Sequence, residues 1–300
     1  MTSAQAGSVR GWIAGARPQT LALILAPIAV GISYAYIAYG PIDWIPVAAA
    51  AVSAMSIQIA TNLANDSADG GGGLDGADRL GPMRLVGAGV MSATRVRRGA
   101  QVATLVAALA GLIAVAWGGA SILALGVASL CAAWGYSYGP APISASRLGE
   151  VFVVMFFGVA ATSGIVWLGV HRVDVAAVFL GLAVGLPAAA VLTLNNHRDR
   201  AQDVVAGRRT MAILLGPSAT PVFYGVELAA ASILAGAALW SLSRAAAAAA
   251  MGALVIAVLM GRRLAHMPIS RAMNRQLVAT VRFEIGLAAA IIAALLFSVR

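Results

Sequence analysis

Apolar runs long enough to cross a bilayer, about 20 residues each, recur along this chain. Nine can be placed, near residues 19–39, 44–64, 99–117, 120–138, 150–170, 175–195, 218–240, 245–261 and 281–299. Only 10% of the 300 residues are charged, where a soluble domain carries about a quarter. With a mean hydropathy of +0.89, the expected fold is an all-α membrane protein of about nine transmembrane helices, one domain over 1–300. The first run follows Arg10 and Arg17 as in a signal peptide, but it is too long for a signal core and many others follow, so it reads as a first span. Runs four and three are separated only by "GGA" at 118–120, which requires a tight hairpin.

The formal charge of +9 comes wholly from arginine, because the chain has no lysine. That absence removes a Schiff-base lysine, a lysine general base and a Walker-type P-loop. A basic balance would suit nucleic acid in a soluble protein; here it reports topology, and no nucleic-acid partner is expected. The single cysteine, Cys131, lies in an apolar run and allows no intrachain disulfide and no thiolate metal site. With the amino terminus inside, only Arg172, Arg244 and Arg300 fall outside. The positive-inside rule then puts the long connections, about 65–98, 196–217 and 262–280, in the cytoplasm of a cell-membrane protein. Asp174 falls on an outside loop and reads as a plain loop charge.

The scarce acids are not scattered. Asn62 and Asp66 end the second span with an N-x-x-x-D spacing, and Asn195 and Asp199 end the sixth with the same spacing. Such an echo suggests two related halves around one cavity. Residues three and four apart share a helix face, so Asn62, Asp66 and Asp69 align, as do Asn195, Asp199 and Asp203. Two facing carboxylate sets with amide oxygens above them are hard-oxygen ligands suited to Mg²⁺, which binds through a few carboxylates plus substrate phosphates. Arg79, Arg84, Arg198, Arg208 and Arg209 stand beside the acids and would complete a phosphate site by bidentate pairing.

The stretches "NLANDSADG…GADRLGP" and "LNNHRDRAQDVVAGRRTMAILLG" resemble the two aspartate-rich motifs of the UbiA-type intramembrane prenyltransferase superfamily. "ARPQTLALILAPIAVG" at 16–31 and "YSYGPAPISASRLGEVFVVMFFG" at 136–158 are similar to its branch that prenylates 1,4-dihydroxy-2-naphthoate in menaquinone biosynthesis. The resemblance runs from Arg17 to Gly216 and weakens beyond. It implies nine helices around a central cavity, Mg²⁺, a polyprenyl diphosphate and a carboxylated dihydroxynaphthalene acceptor. The implied reaction transfers the polyprenyl group with loss of diphosphate and CO₂, giving demethylmenaquinol. Asn62, Asp66 and Asp69 match the first motif, and Asp199 and Asp203 the second. The superfamily spaces the first motif's second aspartate one residue later than Asp69, so Asp75 or Asp78 remain alternatives to Asp69 in the first metal shell. Tyr138, Arg147, Glu150 and Arg17 fall within the resembling stretches and are implied substrate contacts. Glu227 lies in an apolar span with no motif near it and receives no role.

This chemistry explains acid at the mouth of an oily segment. A diphosphate leaving group needs its charge neutralised as the allylic C–O bond breaks, and the cation left behind needs shielding from water. Two other readings stay open: the same fold with 4-hydroxybenzoate or a phosphoribose as acceptor, and a transporter with a carboxylate-lined path. Transporters place ionisable residues near the bilayer midplane, whereas here they gather at one membrane face.

Overall fold

The computed structural model describes residues 9–71, 80–82, 84–240 and 243–297. Among these every regular element is helical. After the short α1 (Val9–Ala16) come α2 (Pro18–Tyr39), α3 (Trp44–Gly71) and α4 (Ala93–Gly135). The next crossing is composite: α5 (Gly149–Val153), a π-helical stretch over Val154–Ala160, and α6 (Ala161–Val170). Then follow α7 (Val175–Val205), α8 (Met211–Leu239), α9 (Arg244–Ala265) and α10 (Met273–Phe297).

Eight of these stretches are long and apolar enough to span a membrane, and α4 counts twice. As one rod its 43 residues would measure about 64 Å, roughly twice the hydrocarbon core of a bilayer. Instead Gly119 adopts φ 63°, ψ −152°, in a region open to glycine, and the chain doubles back. Trp134 Nε1 donates to Thr104 Oγ1 at 3.0 Å, across a separation that a straight helix would stretch to about 45 Å. The expected hairpin at "GGA" is therefore present.

Two helix ends differ from the sequence expectation. α3 continues to Gly71 and α7 to Val205, seven and ten residues past the apolar runs that were expected to end at 64 and 195. Both acidic segments are therefore helical turns rather than the starts of loops. Hydrophobicity stops marking a helix once it leaves the membrane, but backbone hydrogen bonding continues for as long as side chains find partners, and in these turns they do.

The main core joins α2, α7, α8, α9 and α10 around Val30, Tyr34, Leu180, Val184, Tyr224, Leu228 and Ile291. A second core joins α2, α3, α4 and α6 around Ile28, Val47, Ile122 and Leu168. The composite crossing is drawn against α7 by glycine. A Cβ on Gly158 would lie 2.4 Å from the Gly181 carbonyl oxygen and 2.7 Å from Gly185 Cα, so the backbones touch there. Beside that contact the π-helical stretch turns Phe156 and Phe157 toward the interior cavity; such bulges commonly re-aim side chains at functional sites. On the outside, Leu105, Leu109, Val226, Val255 and Leu259 are exposed, an apolar belt that only lipid would cover. Exposed Trp44, Trp117 and Trp240 sit at the arginine-poor ends of their helices, as interfacial tryptophans do.

Candidate active site

A cavity of ≈ 1530 Å³ runs between α2, α3, α4, the composite crossing, α7 and α10. That exceeds the several hundred to 1,000 Å³ of ordinary small-molecule sites. Most of its wall is apolar, including Leu23, Ile28, Val115, Phe152, Phe156 and Ile165. Its charged residues and most of its amides gather around the carboxyl-terminal ends of α3 and α7: Asn62, Asn65, Asp69, Arg84, Asn195, Asn196, Arg198, Asp199, Asp203 and Arg208, with Arg17, Tyr136 and Arg282.

The α3 end divides its labour. Among the described residues, Asp69 is the first-motif carboxylate in the cavity wall. It is paired with Arg84 through Oδ2 and with Arg208 Nη2 through Oδ1 at 2.6 Å. Asn65, one turn earlier, also lines the cavity and points its amide at Asp69 Oδ2, 3.4 Å away. Asp66 is different. It is 1% exposed, is absent from the cavity wall, and accepts from the backbone amides of Leu85 (2.8 Å) and Val86 (3.1 Å). Its carboxylate anchors the segment that presents Arg84, so the expected metal-facing role for Asp66 is corrected. Asn62 does line the cavity, but its amide donates to Ala16 O and Thr20 Oγ1, both at 2.9 Å. Those contacts brace the corner between α1 and α2, where Arg17 holds φ 52°, ψ 72°. A non-glycine residue in the left-handed region stores strain that surrounding contacts must maintain; here the corner places Arg17 in the cavity wall.

On α7, Asp199 takes both hydrogen bonds of the Arg198 fork, at 2.8 and 2.7 Å. Arg198 also donates to Asn274 Oδ1 at 2.8 Å, and Asn274 in turn donates to Leu80 O. Asp203 pairs with Arg208 at 3.3 Å. One guanidinium therefore spans the carboxylates of both motifs, Asp69 and Asp203. Asn195 lines the same rim.

Several expected contacts lie elsewhere. Tyr138 is not in the wall: its hydroxyl shares a 2.5 Å hydrogen bond with Ser67, and its ring packs on Trp134. Tyr136, two residues earlier, takes the wall position. Burial, reinforced by the Glu150 and Asp69 carboxylates, pushes its phenol well above the usual range, so it remains a neutral hydroxyl. Glu150 is buried behind the wall and acts through Asn196, whose amide donates to Oε1 at 2.9 Å. Arg147 and Arg209 border a separate small cavity. Asp75, Asp78 and Arg79 lie outside the described residues. Asn65, Tyr136 and Asn196 were missed. Asn65 was findable, because it is four residues before Asp69 and three after Asn62 on one face; Tyr136 and Asn196 carried no such signal. Asp174 is also more than a loop charge: it caps α7 through Ala177 N (2.8 Å) and accepts from Tyr34 and Tyr39 (2.5 and 2.7 Å).

Among the described residues no three carboxylate, histidine or cysteine side chains converge as a closed metal cage. The donor set still suits Mg²⁺, which seldom uses such a cage. All its donors are oxygen, and Asp69 and Asp203 are already spanned by one cationic group.

The family model described as the UbiA prenyltransferase family matches residues 24–297. A Mycobacterium tuberculosis protein named 1,4-dihydroxy-2-naphthoate octaprenyltransferase is 35% identical over 223 residues, covering 74% of this chain and 76% of that protein. An Escherichia coli protein of the same name is 34% identical over 222 residues, covering 72% of each. Among solved structures, a UbiA homolog from Archaeoglobus fulgidus bound to DMAPP and Mg²⁺ superposes with TM-score 0.69 at 15% identity, over 95% of this chain and 99% of that one. The apo UbiA homolog from Aeropyrum pernix gives TM-score 0.63 at 19% identity, over 93% and 98%. The helical arrangement described above is the fold of these structures.

Proposed function

The chain belongs to the UbiA prenyltransferase family, and from that premise we propose that it transfers a polyprenyl group from polyprenyl diphosphate to 1,4-dihydroxy-2-naphthoate. Diphosphate and CO₂ are released, and demethylmenaquinol is the product. The observation that carries this reading is one cavity of ≈ 1530 Å³ whose rim joins Asp69, Arg208 and Asp203 and whose wall is mostly apolar.

In this reading Asp69, Asp199 and Asp203 hold Mg²⁺, with Asn65 and Asn195 as neighbouring amide oxygens. When bound, Mg²⁺ neutralises charge on the departing diphosphate. Arg84, Arg198 and Arg208 turn their guanidinium forks from carboxylates to phosphate oxygens as substrate enters. Asn62 and Asp66 hold the corners that carry Arg17 and Arg84. Phe152, Phe156, Ile165 and their neighbours keep water from the allylic cation. α4 packs mainly on α3 and meets α6 near the hairpin at Gly118, so the flank lined by Leu112, Leu123 and Val127 suits a long tail that continues into the bilayer. Arg17 and Tyr136 stand at the rim as a cation and a neutral hydroxyl for the acceptor's carboxylate and phenol. The arginine asymmetry supports a rim facing the cytoplasm of a cell membrane.

The names of the relatives favour the naphthoate acceptor over 4-hydroxybenzoate or a phosphoribose. The test is purified protein with Mg²⁺, one polyprenyl diphosphate and each acceptor in turn, with prenylated product and CO₂ measured by mass spectrometry. Prenylated, decarboxylated naphthoate as the main product supports the reading. Turnover confined to another acceptor overturns the acceptor assignment while leaving prenyl transfer intact.

A further inference from the structure

Arg147 and Arg209 stand outside the large cavity, and what they face has a shape of its own. With Thr210, Ile213 and Leu214 they line a cavity of ≈ 180 Å³ at the same end of the molecule. Arg147 comes from the connection before α5 and Arg209 from the connection before α8; the Arg209 amide donates to Ala145 O at 2.7 Å and fixes the two segments together. We propose that Arg147, Arg209 and Thr210 form a second anion site that takes a phosphate group, supplied by the headgroup of an anionic phospholipid.

Three observations carry this. Arg84, Arg198 and Arg208 in the active site each pair with a carboxylate. Arg147 and Arg209, by contrast, are exposed and form no ion pair with a described residue although they border one small space, so both guanidinium groups are open to an anion. Among the described residues no carboxylate lines this space, so it suits a bare phosphate rather than a metal-bridged diphosphate. Second, Thr210 is 0% exposed and lines the cavity, yet its hydroxyl has no hydrogen-bond partner and makes no capping bond to α8. A buried hydroxyl left in that state is costly unless a ligand uses it, and a phosphate oxygen between two guanidinium groups would do so. Third, Leu148 and Leu214, next to the two segments, are 55% and 53% exposed. Cationic side chains at the rim with apolar side chains beside them match a headgroup with acyl chains rather than a soluble ion. The occupant would clamp the connection that carries Tyr136 and Ser144 to the one that carries Arg208 and follows the α7 turn of Asp203. The site depends on the membrane reading and not on prenyl transfer.

The test uses the purified full-length protein in a neutral detergent, with binding followed by native mass spectrometry and by the thermal unfolding midpoint. The probes are short-chain phosphatidylglycerol, phosphatidylcholine with the same chains, and inorganic phosphate. One arginine near a membrane surface is worth roughly fivefold in affinity for anionic lipid. The Arg147→Gln/Arg209→Gln protein should therefore bind phosphatidylglycerol about thirtyfold more weakly. Thr210→Val should lose several-fold, and Arg262→Gln/Arg263→Gln, the same charge loss on α9, should bind like the unmodified protein. Phosphatidylcholine should bind weakly to all forms. Binding of inorganic phosphate with the same dependence on Arg147 and Arg209, and none of phosphatidylglycerol, would overturn the lipid assignment and leave a soluble phosphate site. Equal binding of both probes by every form would overturn the site itself.

Discussion

Replacing Arg208 by glutamine removes the guanidinium that spans the two aspartate motifs, and its consequences can be worked out with and without metal. Arg208 contacts Asp69 at 2.6 Å and Asp203 at 3.3 Å, with side-chain exposures of 18%, 9% and 8%. Breaking a well-buried pair costs about 3–5 kcal/mol. Arg84 stays on the other oxygen of Asp69 and Arg208 is partly solvated, so about 2 kcal/mol is the expected loss of stability in chelator. Mg²⁺ should recover part of that loss, because a divalent ion can screen the two carboxylates that the guanidinium no longer separates. Turnover should fall further than stability. A charged donor aimed at developing negative charge is worth about 3–4 kcal/mol in the transition state, roughly 100- to 1,000-fold in rate. Arg208→Lys should lie between the two, since it restores charge without the fork. Thermal unfolding in EDTA and in Mg²⁺, together with initial rates of prenyl transfer, gives both quantities. An Arg208→Gln protein that unfolds like the unmodified one in EDTA and turns over within threefold of it would refute the bridging role.

Asp69→Asn should lower turnover about 100-fold or more with the fold retained, whereas Asp66→Asn should mainly cost about 1–2 kcal/mol of stability by loosening the Leu85 and Val86 amides. Equal rate losses with equal stability would contradict the assignment of Asp66 as an anchor. Asp174→Asn should destabilise by about 1–2 kcal/mol at neutral pH. Burial raises the Asp174 carboxyl, but hydrogen bonds from Tyr34, Tyr39 and the start of α7 outweigh it and hold the group below its ordinary range. Its stabilisation is therefore complete above the unfolded value of about 3.9 and is lost as pH falls through the lower folded value. Chemical denaturation at stepped pH should show the two proteins diverging above that range and converging below it. Gly158→Ala should destabilise by several kcal/mol, because the new Cβ meets the backbone of α7 at 2.4 Å; thermal unfolding like that of the unmodified protein would count against the close crossing.

The membrane spans were legible because lipid imposes one demand, an unbroken apolar helix, that leaves its mark on about 20 consecutive residues. The hairpin at Gly119 was legible for the related reason that two full spans left no room for a loop. The helix-face alignment of the acids already implied some helix past residues 64 and 195, but its extent to Gly71 and Val205 was not legible, because hydrophobicity falls silent at 65–71 and 196–205 while the helix goes on. The acids were found as a group, but their division of labour depends on angle. Successive residues step about 100° around a helix, so Asn65 and Asp69 share the cavity stripe with Asn62, and Asp66 falls at its edge toward the Leu85 segment. Tyr136 and Tyr138 differ by two residues, and only the turn that ends α4 decides which faces the cavity. Arg147 and Arg209 looked like the other arginines in sequence; what separates them from Arg84, Arg198 and Arg208 is that no described carboxylate lines the space they border, which is a tertiary fact.

The central claim is that the rim around Asp69, Asp203 and Arg208 carries prenyl transfer from a diphosphate. Its most direct measurement is release of diphosphate coupled to prenylated naphthoate by the purified protein, comparing Asp69→Asn, Asp203→Asn and the double variant in Mg²⁺ and in EDTA. One shared rim predicts one diphosphate per product, no turnover in EDTA, and losses of about 100-fold or more in each single variant. It also predicts a double variant far less impaired than the product of the two losses, as expected for groups that act as a unit. Folded Asp69→Asn and Asp203→Asn proteins that both transfer prenyl groups at unmodified rates would contradict it.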